Sequence, residues 1–262
     1  MLGKILKYDL KSMGKSLLPL YAGLIGMALI LKLLSFGTDS FSVLQIIYNF
    51  MLVFFIIFEI GAIFYTFFVA IKRYYKNLYS DEGYLTHTLP VTSGQLLISK
   101  VTTSLLYFIL TIIIMLLSIM ICFDTSELFK LIFEGISYLA VALSVSEMAI
   151  YIWCVIFMLV SYLSYVLLVY AGIGLGQSHS NNKIIFSVVY SVVLYYITQI
   201  IAVVALGLLF VISPDIMSAI NQNNPSPEII IQVLMYSLGL CVVVTIGYYL
   251  IAYNRLKHLN LN

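Results

Sequence analysis

Charge is what this chain has least of. Only 9% of its 262 residues are Asp, Glu, Lys or Arg, against 63% that are apolar, and mean hydropathy is +1.09. A soluble domain carries about 25% charged residues. No stretch of this sequence is long and polar enough to build a soluble core, so the chain belongs to the membrane class. Cysteine is scarce too: Cys122, Cys154 and Cys241 all lie in or at the edge of apolar runs. An odd count with no CxxC or Cys/His spacing excludes a zinc site and a disulfide framework, and leaves small apolar packing residues. The three histidines, His87, His179 and His258, all fall in polar segments, which excludes a histidine-ligated haem inside the bilayer. There is no HExxH, and no pair of acids shares an apolar run, which argues against metalloprotease and intramembrane-protease chemistry. Nor are there regularly spaced acids for a proton relay. A cleavable signal peptide is not expected, because the first apolar run is long enough to span and no small-x-small site follows it.

What remains is a succession of long apolar runs. Six are long enough to cross a hydrocarbon core of about 30 Å: residues 17–36, 43–71, 101–122, 148–168 or slightly beyond, 184–212 and 229–252. Ahead of the first, Lys4, Lys7, Lys11 and Lys15 oppose Leu2, Ile5, Leu6, Leu10, Met13 and Leu17. This is a basic amphipathic helix over residues 2–17, expected in the interface against acidic lipid heads. Residues 127–139 form a second amphipathic pattern, with Glu127, Lys130, Glu134 and Ser137 on one side; the alternative, a seventh span, would reverse the second half of the chain. If both termini are cytoplasmic, eleven of the 13 Lys and Arg fall inside, whereas Asp39, Asp124, Glu127, Glu134, Glu147, Asp215 and Glu228 fall outside. The positive-inside rule therefore favours that orientation.

Two polar residues interrupt the spans near their middles, Glu59 and Gln199. A carboxylate at that depth costs roughly 2.5–3.5 kcal/mol, so Glu59 needs a protein or water partner, or is protonated. An interhelix hydrogen bond is the structural reading, and a polar path lined by Glu59 and Gln199 the functional one. Lys32, near the outer end of the first span, is expected to snorkel. Pairing with Glu59 is rejected on depth, since Glu59 counts to roughly 24 Å from the outer end of its own helix. Two nucleotide-like motifs are rejected as well. Gly14-Lys15-Ser16 has Asp9 where a phosphate loop needs its first glycine, and Gly172, Gly174 and Gly176 follow no strand; the latter read as glycines ending a helix at the membrane surface.

The long polar interval is residues 72–100, KRYYKNLYSDEGYLTHTLPVTSGQLLISK. Asp81, Glu82 and Gly83 can start a short helix with negative charge at its positive end. Tyr84, Leu85 and Leu89 give it an apolar face, and Pro90 stops it. Thr92 and Gln95 have the spacing of a capping box that would start the next helix.

From Tyr74 to Lys100 the chain closely resembles the segment between the second and third spans of ABC-2 type transporter permeases of Gram-positive bacteria. The shared pattern is an aromatic-Lys-Asn stretch, S/T-D-E-G-Y-L, T-L-P-V and Q-L-L-x-S-K. GLGQSHSNNKIIFSVVYSV, from Gly174 to Val192, is similar to the same family's connection between spans four and five. After Pro90-Val91 the family commonly has a basic residue or two, where this chain has Thr92, Ser93 and Gly94. The resemblance implies one all-α transmembrane domain over residues 1–262: six spans, an interfacial helix at 1–16 and a cytoplasmic coupling segment at 72–100. It implies a multi-pass permease in the bacterial plasma membrane, not itself an enzyme, that exports an amphiphilic substrate such as an antimicrobial peptide. It implies a second permease chain, identical or a sister, and a cytoplasmic ATPase that supplies ATP and Mg2+ chemistry, with no cofactor on this chain and no nucleic acid. Ser80, Asp81, Glu82, Gly83, Tyr84, Leu85, Leu89 and Pro90 would form the coupling helix. A secondary transporter half and a non-transporting scaffold or sensor are the alternatives.

Overall fold

The computed structural model describes residues 2–37, 42–80, 83, 90–123, 125–179, 182–213, 216 and 226–258. Among these there are seven α-helices and no strand: α1 Leu2–Ser35, α2 Ser42–Tyr79, α3 Ser93–Cys122, α4 Thr125–Leu143, α5 Glu147–Gly176, α6 Lys183–Ile212 and α7 Pro227–Lys257. All but α4 are long and apolar enough to cross a membrane. The chain divides into two compact units, Met1–Leu131 and Ile132–Asn262.

In the first unit α1, α2 and α3 pack against one another. Each offers one stripe to the others. On α1 the stripe is Asp9, Met13, Leu17, Tyr21, Leu24, Ala28 and Leu31, all buried at spacings of three and four. On α2 it is Phe55, Glu59, Ala62, Thr66, Val69, Tyr74 and Leu78. The α3 face is small and hydroxylated, with Ser99, Thr103, Ser104, Thr111 and Ser118 buried. Small residues let backbones approach, and hydroxyls bond across the seam, as suits helices packed in lipid. The opposite faces expose large apolar side chains such as Leu29, Leu33, Phe54, Phe64 and Leu116, which acyl chains would solvate.

Two boundaries differ from the sequence expectation. The basic N-terminal helix and the first span form one unbroken helix, because nothing between Leu2 and Ser35 interrupts the α1 stripe except Pro19, which the helix contains. The polar interval is also shorter than 72–100: residues 72–79 continue α2, and 93–100 begin α3. Charge marks the exit from lipid, not the end of a helix, and Tyr74 and Leu78 carry the buried stripe past Lys72.

The start of α3 is fixed by the expected capping box. Thr92 Oγ1 accepts the Gln95 N–H at 3.3 Å, and Gln95 Oε1 accepts the Thr92 N–H at 3.2 Å. Thr92→Ala should cost about 1 kcal/mol. Amide exchange at residues 94–96 should quicken about fivefold, while exchange near Thr111 stays unchanged.

In the second unit α5 packs against both α6 and α7. Ser146 caps α5 by accepting the Ala149 N–H at 3.3 Å, and Ser137 donates to Glu147 at 2.6 Å. Between α6 and α7, the Thr198 and Tyr248 hydroxyls bond each other, and Tyr236 donates to the Ala205 carbonyl at 2.9 Å. Of the three glycines expected to end α5, only Gly176 does so. Gly172 and Gly174 lie inside it and Gly176 is its last residue. A Cβ on Gly172 would sit 2.8 Å from the Ser191 N, and one on Gly176 would sit 2.6 Å from the Ser187 Cα. These glycines exist so that the α6 backbone can lie against α5.

Candidate functional site

The densest polar constellation among the described residues lies where the charged ends of α1, α2 and α3 meet. Asp9, only 2% exposed, is its centre. The Asp9 Oδ1 accepts from Lys100 Nζ at 2.5 Å and from Arg73 Nη2 at 3.3 Å; Oδ2 accepts from Ser99 Oγ at 2.9 Å. Lys100 is itself 4% exposed, whereas the Arg73 side chain keeps 18%. Taking such a pair out of water costs several kcal/mol per ion, recovered only when geometry is good and the remaining lone pairs are satisfied. Here three donors from two other helices converge on one carboxylate.

The elements dictate this meeting. Asp9 continues the buried α1 stripe one turn before Met13. Arg73 and Lys100 lie about two turns from the ends of their helices that flank the polar interval. One carboxylate therefore joins α1 to both margins of the segment 80–92. Two turns further along α3 from Lys100, Tyr107 donates to the Leu10 carbonyl at 2.7 Å. Gly14 is what lets it pass: a Cβ there would meet the Tyr107 Oη at 2.7 Å. The glycine of the GKS triplet thus has a packing role.

Further along the same seam, the hydroxyls of Tyr21, Thr111 and Thr66 form a chain across α1, α3 and α2, with O···O distances of 2.8 and 2.9 Å. Glu59 comes next. Its Oε1 accepts from Ser118, and its Oε2 is buried with no hydrogen-bond partner. Glu59 makes an interhelix hydrogen bond, as one of its two sequence readings required. Lys32 is not its partner. Ser118 is one turn from the C-terminus of α3, and Leu31 packs with Cys122 at that terminus. No ion pair joins Lys32 to Glu59, whose Oε2 stays unpartnered.

Gln199, the other polar-path candidate, is exposed on α6 in the second unit, while Glu59 is buried in the first. Among the coupling residues expected from sequence, Asp81, Glu82, Tyr84, Leu85 and Leu89 lie outside the described residues. Ser80 donates from Oγ to the Lys76 carbonyl at 2.5 Å and accepts the Gly83 N–H at 2.7 Å; Pro90 is exposed. Cys122 is buried in an apolar cluster, and all three cysteines are free thiols. Sequence reasoning missed Asp9, Ser99 and Lys100 as a unit. The available signal was an acid occupying a position of the apolar stripe.

No family model, curated protein or solved structure matches this chain.

Proposed function

We propose that this chain is the membrane permease subunit of an ATP-driven exporter, moved by a separate cytoplasmic ATPase that docks on the segment 80–92. The observation that carries this reading is the Asp9 clamp. A push on that segment reaches Arg73 and Lys100, and through one carboxylate it reaches α1 as well. A lever needs such an anchor. Without it, force on a connecting segment would be lost as movement of one helix against its neighbours. The clamp is buried at the lysine-bearing ends of α1, α2 and α3, which the charge bias puts in the cytoplasm. The four lysines of the first turns of α1 then face acidic lipid heads on that side. The aromatic side chains on the apolar faces suit an amphiphilic cargo, and a peptide is the cargo class that the resemblance favours. A second permease chain would complete the body, and ATP with its Mg2+ would bind the partner ATPase only.

The test is purification of the full chain from its own cells in mild detergent. A nucleotide-hydrolysing subunit should co-purify, and its recovery should fall at least about tenfold on Tyr84→Arg or Leu85→Asp, as loss of an interface anchor would produce. A preparation that moves amphipathic peptide into vesicles at full rate without such a subunit would overturn the proposal and favour a secondary transporter. A companion that binds without any stimulated nucleotide turnover would favour a scaffold.

A further inference from the structure

Among the described residues of the first unit two acids are buried, Asp9 and Glu59, and their surroundings differ. Asp9 meets two cations and a hydroxyl, each with a proton to give. Glu59, 6% exposed, meets one hydroxyl, that of Ser118 on α3, and its Oε2 is buried with no partner among the described residues. The titratable groups near it on the packed helices are Cys122 of α3 and Lys32 of α1. Neither bonds to it, so no cation of the described residues balances a charge at Glu59.

Ser118 has one proton and two oxygens in front of it. Its Oγ lies 2.7 Å from the Met115 carbonyl of its own helix, and it also meets Glu59 Oε1. A carbonyl only accepts, and so does an ionised carboxylate, while a hydroxyl has a single hydrogen to donate. With Glu59 ionised, one proton would have to serve both oxygens, and a charge would stand inside a span with its second oxygen bare. Buried charges in such places are paired, hydrogen-bonded or neutralised. One proton placed on Oε1 resolves the count. The acid then donates to Ser118 Oγ, Ser118 donates to the Met115 carbonyl, and Oε2 remains as a neutral carbonyl oxygen. Each hydrogen has one acceptor, and the oxygen left unpaired carries no charge.

We propose that Glu59 is a proton-binding site within the membrane, occupied in the packed first unit, and that the bound proton joins α2 to α3 through Ser118. The ligand is the hydrogen ion itself. Both side chains are buried, so the proton exchanges with water only when α2 and α3 part. The two events are linked in both directions. Separation of the helices hydrates the acid and favours release of the proton. Removal of the proton leaves a bare carboxylate against Ser118 and favours separation. The inference rests on membrane placement and on the α2–α3 seam, not on the exporter reading.

The experiment is infrared spectroscopy of the full chain in lipid nanodiscs at about pH 8, well above the ordinary carboxyl range, with and without an isotope label in the glutamate side-chain carboxyls. One carbonyl band of a protonated carboxyl should move on labelling and vanish in Glu59→Gln. Ser118→Ala takes away the acceptor of the acid proton, and should shift that band to higher frequency without abolishing it. Should Glu59→Gln fail to fold, the label in the unaltered chain still decides: the absence of a label-sensitive protonated band means that every glutamate is ionised, and the proposal falls. It falls equally if the band survives in Glu59→Gln, if that variant loses carboxylate absorption in its place, or if Ser118→Ala leaves the band where it was.

Discussion

Replacing Asp9 with asparagine is expected to destabilise the first unit by about 3–5 kcal/mol, the cost of breaking a buried ion pair by removing one partner. The reason is the asymmetry of burial. Arg73 keeps contact with solvent and can turn toward water, but Lys100 cannot, at 4% exposure. Asparagine can still accept from Ser99, so shape and one hydrogen bond survive while the charge balance does not. The companion variant separates charge from packing. If Lys100→Met is added, both charges leave together, and the double variant should recover most of the loss. A coupling of about 2 kcal/mol or more between the two sites would lie within the range expected for residues in one salt-bridge network. Reversible unfolding in bicelles, followed by release of the α1 contacts, measures all three proteins. A loss below about 1 kcal/mol for Asp9→Asn, in the range of exposed pairs, would mean that the carboxylate does not clamp the three helices. If the proposed exporter reading holds, the same variant should, with the chain folded and an ATPase subunit bound, uncouple nucleotide turnover from movement of cargo.

That this residue escaped the sequence reading has a physical cause. The N-terminal segment was divided into a lysine face and an apolar face, and Asp9 belongs to neither. Yet residues 9, 13, 17, 21, 24, 28 and 31 form one continuous stripe, every member of which is buried. An acid on such a stripe must meet a cation from a neighbouring helix, and Arg73 and Lys100 were the cations at the matching ends. The periodicity was legible; the neighbours were not, since a single helix says nothing about which helices adjoin it. The six spans could be read because lipid admits few alternatives to long apolar helices. The capping box was legible for a different reason: it is decided within four residues. By contrast, the α2 extension was hidden by its polar composition, although Tyr74 and Leu78 kept the period of the buried residues before them. Depth within the bundle was the least accessible quantity. It depends on how far each helix overshoots its neighbours, which the sequence of one helix does not state.

The glycines of α5 give the second large effect. Gly176→Val should destabilise the second unit by about 3 kcal/mol, at the upper end of what overpacking usually costs. The obstacle is backbone: the added carbon would lie 2.6 Å from the Ser187 Cα, so no rotamer change on α6 can clear it. Gly172→Ala meets the same helix one turn earlier, 2.9 Å from the Ser191 Cα. The two substitutions should therefore combine less than additively, because a single outward displacement of α6 relieves both. Built-in controls exist. A Cβ at Gly207 or Gly239 would have nothing within 4 Å, so alanine there should be neutral or stabilising by up to about 1 kcal/mol through helix propensity. The readout is the unfolding midpoint of the purified chain. If Gly176→Val proves as mild as Gly239→Ala, the α5–α6 approach is looser than described, and the glycines revert to helix-ending residues at a membrane surface.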